Sequence, residues 1–357
     1  MNEEIKVLVL TKYDAKGASS RLRSIQYFDG LEANGISIEH SPLFDDIYLE
    51  NLYSDKKISK AYVFKRYFKR MIKLFSSKGY DLLWIEKELF PWIPFNVEGL
   101  LKVLGIKYIV DYDDAIFHNY DQHRLGVVRF LLSCKIPNVM KNAALVTVCN
   151  SYLKQKAIDS GAKRVELMPT VVDLDRYKAV SEADNDILTI GWIGTPKTEM
   201  YIMELCDVFE KVSQTIDIKV VVIGGKNFHS DKFSYEILPW SEEREIEYLQ
   251  QIDVGIMPLS DTNWEKGKCG YKLIQYMACG KPVVASAIGM NCEIVEENKN
   301  GYLASTSQEW IDAFIKLSDS KLRVELGKKA RKDVEEKYSL QNTLAKRVKF
   351  IKDSFER

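Results

Sequence analysis

The sequence is poor in the residues that most metal and redox chemistry uses. Its 357 residues include six cysteines and four histidines. No two cysteines form a CxxC pair and none has zinc-ligand spacing to a histidine, which excludes the common zinc and dithiol motifs. Several cysteines sit inside apolar runs such as "LVTVCN" and "YMACG", as small buried residues of a reducing compartment do. No apolar run reaches 18 residues, so no membrane-spanning helix is expected. The opening "MNEEIKVLVL" is acidic and passes straight into a short strand pattern. It lacks a basic region followed by a long apolar core, so it does not read as a signal peptide, and a cytoplasmic location is expected. The formal net charge is zero, which removes any global field toward nucleic acid, and no nucleic-acid module is present. GxxxxGK[ST] is absent, so there is no P-loop, and no 20–50-residue repeat or low-complexity tract occurs.

What is present is an alternation. Apolar residues make up 46% of the chain and charged residues 29%, enough for a sizeable core, and the length suits two domains. Short β-branched runs are separated by helical patterns. The first half predicts strands at "KVLVL", "ISIEHSPLF", "DLLWIE", "KYIVDYDD", "ALVTVCN" and "RVELMP". The second predicts them at "ILTIGWIG", "KVVVIGG", "EILPW", "DVGIMPL", "KPVVAS" and "GYLA". Near-continuous apolar strands between helices mean parallel sheets covered on both faces. The polar, aperiodic stretch 169–186 breaks the series. The expected organisation is an α/β chain of two doubly wound, Rossmann-like domains facing a cleft: 1–175, a linker at 176–186, 187–335, and a C-terminal helix at 336–357 that could return to the first domain. Ligands of such sheets bind beyond the carboxyl ends of the strands, so the turns there carry the functional signal.

Four turns stand out. "GKCGYKLIQYMACGKPVVAS" predicts a helix over 271–278 closed by Gly280 and Pro282. Leu273 with Met277, and Ile274 with Ala278, form its buried face. Its start combines Lys268, Gly270, Tyr271 and Lys272, and a glycine-approached helix N-terminus with nearby lysines can hold an anion. The bland alternative is a helix start with solvated lysines. "IGWIGTPKT" places Gly194, Thr195 and Lys197 after the first strand of the second half, as a phosphate turn or a plain strand-to-helix turn. "KGASSRLRS" does the same in the first half with Gly17, Arg21 and Arg23. Arginines at a helix start oppose the helix dipole and so need another reason, such as a phosphate. "YIVDYDDAIFH" sets Asp111, Asp113 and Asp114 at a strand end, with His118 following. Three acids there read either as a metal-binding DxD or as metal-free positioning of sugar or acceptor hydroxyls, and His118 either as catalytic or as structural.

"YKLIQYMACGKPVVASAIGMNCEIVEENKNGYL" resembles the signature of glycosyltransferase family 4, the retaining two-domain GT-B enzymes. "YDLLWIEKEL", "TVCNSYL", "PTVVDLDRY", "IGWIGTPKT" and "DVGIMPLSD" fit a bacterial branch of it. The resemblance implies a metal-free transfer, with no cofactor, of a sugar from a UDP- or GDP-sugar to a probable lipid-linked acceptor during assembly of surface polysaccharide or lipopolysaccharide. It implies that the diphosphate meets Gly194, Thr195, Lys197, Lys268, Gly270, Tyr271 and Lys272, and that Pro239 and Trp240 lie at the base. Gln275 replaces the second glutamate of the family's pair and would take the ribose. The first glutamate falls at Gly267, with Glu265 two residues away. Thr195 stands where an arginine is usual. Asp113, Asp114 and His118 would serve catalysis, and Gly17, Arg21 and Arg23 the acceptor or a phosphate. An epimerase acting on sugar nucleotides and a non-catalytic nucleotide-sugar-binding partner protein are the alternatives.

One further stretch is distinctive. Residues 51–80 hold nine Lys/Arg against one Asp. Phe64, Tyr67, Phe68, Met71, Ile72 and Phe75 recur at helical spacing, with Lys65, Arg66, Lys69, Arg70 and Lys73 on the other side. The basic helix 62–76 reads either as a core-facing helix with a solvated basic rim or as a peripheral contact with an anionic membrane surface.

Overall fold

The computed structural model of the chain describes residues 4–54, 56–179 and 187–356. They form two compact units. The first is Met1–Thr170 with Gly267–Cys269 and Thr343–Arg357; the second is Val171–Lys266 with Gly270–Asn342. The expected linker 176–186 is described only as far as residue 179, and the rest of it lies outside the described residues. Among the described residues no helix is long and apolar enough to cross a membrane.

The first unit contains β1 (Ile5–Leu10), β2 (Ile36–His40), β3 (Leu82–Glu86), β4 (Tyr108–Tyr112), β5 (Leu145–Val148) and β6 (Val165–Leu167), in the order β2-β1-β3-β4-β5-β6. The second contains β7 (Leu188–Ile193), β8 (Ile218–Ile223), β9 (Ser234–Leu238), β10 (Val254–Met257), β11 (Val283–Ser286) and β12 (Gly301–Ala304), in the order β12-β11-β10-β7-β8-β9. Every pairing is parallel. Each residue of β3, β4 and β5 is buried, as a sheet covered on both faces requires. Two Rossmann-like sheets therefore stand where the alternation of the sequence predicts them. Each reverses its strand order once, between β1 and β3 and between β7 and β10. Those reversals are the places where loops diverge and a ligand can enter.

One local reading changes. The strand at "ISIEHSPLF" stops at His40, ahead of Pro42, which has no N–H for a ladder. After β1 the chain forms two short helical pieces, Ala18–Arg23 and Phe28–Glu32, separated by a short tight turn. Gly30 in the second piece faces Leu344, and a Cβ there would lie 2.6 Å from the leucine Cδ2. The bare backbone lets the C-terminal helix approach closely.

That helix, Leu340–Glu356, is held in the first unit by Arg347. Its buried guanidinium lies 3.6 Å from Asp111 and stacks over Trp84 and Tyr27, at 4.6 and 5.1 Å from the ring centres. Asp111 also takes Nε and Nη2 of Arg23 at 2.7 and 2.8 Å and the hydroxyl of Thr147. Removing the carboxylate would strand two buried cations. Asp111→Asn is expected to lower stability by about 3–5 kcal/mol. Urea unfolding monitored by circular dichroism checks this, and an unchanged midpoint would show that the network carries no net stabilisation.

Candidate functional site

In the second unit the turn after β7 is built on close approach. Gly194 packs against the ring of buried Trp192, where a Cβ would lie 2.2 Å from Cη2. Gly224, after β8, adopts φ +83°, and a Cβ there would meet the Gly194 carbonyl at 2.3 Å. Thr198 Oγ1 accepts the Thr195 N–H, folding Thr195, Pro196 and Lys197 outward. Buried Glu199 then receives the N–H groups of Lys226, Asn227 and Phe228 at 2.7–3.1 Å, so its carboxylate ties the β8 loop to the β7 turn.

The helix Tyr271–Ala278 starts from Gly270 at φ +66°, a conformation that favours glycine, and no acid lies in its first turn. A Cβ on Gly270 would also lie 2.4 Å from Ile294 Cδ1. Tyr276 hydroxyl accepts the Ile193 N–H and donates to the Ile256 carbonyl, anchoring the helix to the ends of β7 and β10. Gly255 leaves room for the tyrosine ring. Lys272 Nζ sits 4.4 Å above the Trp192 ring, a cation–π contact that holds its charge next to the Gly194 turn. The structure thus brings Gly194, Lys272 and the start of this helix together at the strand reversal. Lys268 lies two residues ahead of Gly270. It belongs to the first unit, where its carbonyl accepts from Asn150 Nδ2 at 2.9 Å and its charge acts on Asp114.

Gln275 and Trp240 meet on a residue the sequence reading missed. Glu245 accepts from Gln275 Nε2 (2.8 Å), Tyr177 hydroxyl (2.5 Å) and Trp240 Nε1 (2.7 Å). Tyr271 hydroxyl lies 3.5 Å from that of Tyr177, whose ionisation burial and the neighbouring Tyr271 and Glu245 push far up. Gln275 is therefore buried with its amide nitrogen committed. Pro239 and Trp240 are exposed at the end of β9. The sequence does hold a signal for Glu245. In "EREIEYLQQID" it shares a helical face with buried Tyr248, Leu249 and Ile252, and an acid on an apolar face needs partners. Glu265 is likewise buried, receiving the hydroxyls of Tyr201 and Thr262.

The strand reversal of the first unit carries a second polar cluster. Lys87 follows β3 with φ +65°, an uncommon conformation for a side-chain-bearing residue. Its Nζ pairs with Asp113 at 2.8 Å, reaches Asp114 at 3.7 Å and donates to Ser19 Oγ at 3.0 Å. Burial alone would raise Asp113, but Lys87 and Arg23 hold it below the ordinary range. Asp114, partly exposed, is pushed up by burial and by the charge on Asp113. Glu86 beneath them accepts from Ser20 Oγ and the Lys12 N–H, and burial raises it too. Two neighbouring carboxylates driven apart in this way suit different proton roles. The sequence does not single out Lys87, Glu86 and Ser19, because neither the positive φ of Lys87 nor the pairing across the sheet is written in local pattern.

Three expectations for the first unit need correction. Arg23 cannot serve a phosphate: it is buried, and its guanidinium is spent on Asp111 and the Met168 carbonyl. Asp111 is the interior partner of that pair and not a member of an open acidic triad. His118 uses both ring nitrogens, one on Asp121 and one on Tyr152 hydroxyl, each at 2.8 Å, which is the structural role. Arg21 donates to the Ala15 carbonyl within the same loop, and Gly17 is buried against Tyr13.

Comparisons with known proteins agree with this architecture. Residues 184–320 match the family model described as "Glycosyl transferases group 1". The chain is 25% identical over 169 residues to the putative teichuronic acid biosynthesis glycosyltransferase TuaH of Bacillus subtilis strain 168. It is 23% identical over 190 residues to N-acetyl-alpha-D-glucosaminyl L-malate synthase of Bacillus anthracis. These matches take in 42% and 49% of this chain and span less than half of either relative, 41% and 47% of their lengths. The crystal structure of Anabaena HepE in complex with UDP superposes with a TM-score of 0.69 at 14% identity, covering 98% of this chain and all of that one. The fold is that of the GT-B glycosyltransferases.

The Lys87 cluster has a pH signature. Because the folded pKa of Asp113 lies below its ordinary value of 3.8, its pairing stabilises the protein fully above that value and is lost as pH falls from there through the lower folded value. Asp113→Asn is expected to reduce stability at neutral pH and to flatten the acid-side decline. Denaturation midpoints measured across that range test this, and parallel curves for variant and parent would refute it.

Proposed function

We propose that this chain is a glycosyltransferase that moves a sugar from a UDP- or GDP-sugar to a lipid-linked acceptor in the assembly of surface polysaccharide. The observation that carries the reading is the start of the helix Tyr271–Ala278. The helix starts from a left-handed glycine, has no acid in its first turn, and carries Lys272 over the Trp192 ring beside the Gly194 turn. Oriented N–H groups and a fixed cation at that point stabilise the negative charge that grows on a departing diphosphate, with little reorganisation. The UDP bound to the structurally similar HepE supports a nucleotide donor.

In this proposal Thr195 and Lys197 complete the phosphate turn, and Trp240 borders the base. Gln275 is held by Glu245 as part of the wall behind the ribose. The residues of the first unit then serve the acceptor. Lys87 keeps Asp113 ionised to orient a hydroxyl, and Asp114, with its raised affinity for protons, takes the proton that the hydroxyl gives up. We further propose that the transfer retains anomeric configuration, as in glycosyltransferase family 4, that the sugar is a hexose, and that the lysines replace a metal at the diphosphate.

Thermal unfolding with UDP, GDP, ADP and CMP tests the donor site, because a ligand that binds the folded state raises its melting temperature by mass action. UDP or GDP is expected to stabilise the protein equally with and without chelator, and Lys272→Ala to weaken that nucleotide about tenfold or more. No shift with any nucleotide in folded protein would sink the reading. A shift without turnover, under assay with acceptor lipids, would instead favour a nucleotide-sugar-binding partner, consistent with the buried, committed amide of Gln275. Turnover of the donor alone would identify an epimerase.

A further inference from the structure

The helix Lys60–Phe75 turns only part of its apolar side to the core. Its inward side holds Arg70, which donates to the Thr11 and Ser41 carbonyls at 2.6 and 2.9 Å, and Arg66, which donates to the Leu43 carbonyl at 2.7 Å. Tyr67 and Leu74 pack inward with them. Its phenylalanines point out, and Phe64 and Phe75 are 73% and 81% exposed. The helix thus meets the core through Tyr67, Arg70 and Leu74, has a solvated basic rim, and leaves its phenylalanines outside.

It is not an isolated case. The loop after β3 exposes Phe95 (74%), the helix Val97–Val103 exposes Val103 (82%), and the helix Gly126–Leu132 exposes Phe130 (86%). These elements share one side of the first sheet. The connections from β2 to β3, β3 to β4 and β4 to β5 all advance in the same direction across it, and right-handed crossovers put their helices on the same face. The packing agrees. Tyr67, Leu74, Val97, Leu101, Val128 and Leu132 all enter one apolar cluster with Leu83, Val110 and Val146 of the strands. The outer sides of the three helices consequently look away from the sheet together. The intervening loop joins them: Tyr67 donates to the Pro91 carbonyl, and the Trp92 ring packs against Tyr120 and His123.

The exposed charge carried by these segments has one sign. No acid occurs at 56–80 or at 122–158. Between 92 and 107 the sole acid is Glu98, which is buried on the Leu89 N–H. Lys65, Lys69, Lys102, Arg124 and Arg129 are exposed among the apolar side chains. A soluble monomer rarely leaves so much large apolar surface to water. A second copy would bring the same positive charge against it. An anionic lipid surface matches both properties, taking aromatic and aliphatic tips into the acyl boundary and lysines and arginines at the headgroups.

We infer that the helices Lys60–Phe75, Val97–Val103 and Gly126–Leu132, with the loop between the first two, form a single docking face for an anionic lipid bilayer. The inference extends the proposed use of a lipid-linked acceptor and rests on that reading only for its purpose, since the face is defined by geometry and charge. It differs from attachment through the one basic helix: residues on elements far apart in sequence must contribute together.

Flotation of the purified full-length protein with vesicles tests it, without nucleotide or acceptor. Vesicles of phosphatidylcholine with phosphatidylglycerol should carry the protein, and pure phosphatidylcholine should carry much less. Phe64→Ser and Phe130→Ser alter exposed positions on different helices, and each should weaken partitioning roughly tenfold or more with an unchanged melting temperature. Lys69→Gln combined with Arg124→Gln should weaken binding to the anionic vesicles selectively. Three outcomes would overturn the proposal: protein that stays unbound with anionic vesicles, loss with Phe64→Ser but none with Phe130→Ser, or a concentration-dependent dimer that both phenylalanine variants abolish. Vesicle binding without nucleotide binding would leave the docking face standing and remove the donor site, and the reverse result would do the opposite.

Discussion

A parallel strand reaches its neighbour only through a crossover, and the crossovers have to cover both faces of the sheet. Much else in this molecule follows from that constraint. The strands become buried throughout and mostly apolar, as in β3, β4 and β5. Apart from the paired Asp111 network, polar side chains collect at the carboxyl ends of the strands. There the N-termini of the following helices point at whatever binds, and the reversal of strand order opens a gap. The Gly194 turn and the Tyr271–Ala278 helix occupy that place in the second unit, as the Lys87 cluster does in the first.

Within those gaps the organising groups are buried carboxylates. Glu199 gathers three backbone N–H groups, Glu245 gathers a tyrosine, a tryptophan and a glutamine, and Asp111 gathers two arginines and a threonine. Each is costly to bury alone and is compensated by donors from several elements. The cost has a structural consequence. A loop that supplies a donor to such a group is fixed in one position, which is what a site needs when it must present N–H groups and cations to a ligand without rearranging. Asp113 and Asp114 show how the same surroundings can separate two adjacent acids. Lys87 pairs closely with one and less closely with the other, and the second then carries the repulsion of the first.

The helix Lys60–Phe75 shows how an arginine can behave as an interior residue. Arg70 and Arg66 donate to backbone carbonyls just after β1 and β2 and in the following loop, and those acceptors draw the guanidinium groups inward. The aromatic side is left outside as a result. Amphipathicity gives the two faces of a helix but not which of them meets the sheet, because both charged and apolar faces can find partners when the acceptors are backbone.

The order of strands and helices was legible in the amino-acid pattern, since β-branched runs bounded by polar turns depend only on local preference and on the need to bury both faces of a sheet. The helix 271–278, its glycine approach and the Gly194 turn were legible for the same reason. What only the tertiary structure decided was the fate of the polar side chains. Arg23 and Asp111 became an interior pair, His118 a structural residue, and Glu245 the meeting point of Gln275 and Trp240. A charged residue goes inside or outside according to partners contributed by segments up to hundreds of positions away, as Arg347 does for Asp111. Local sequence carries no record of those partners, and desolvation makes the choice between them large.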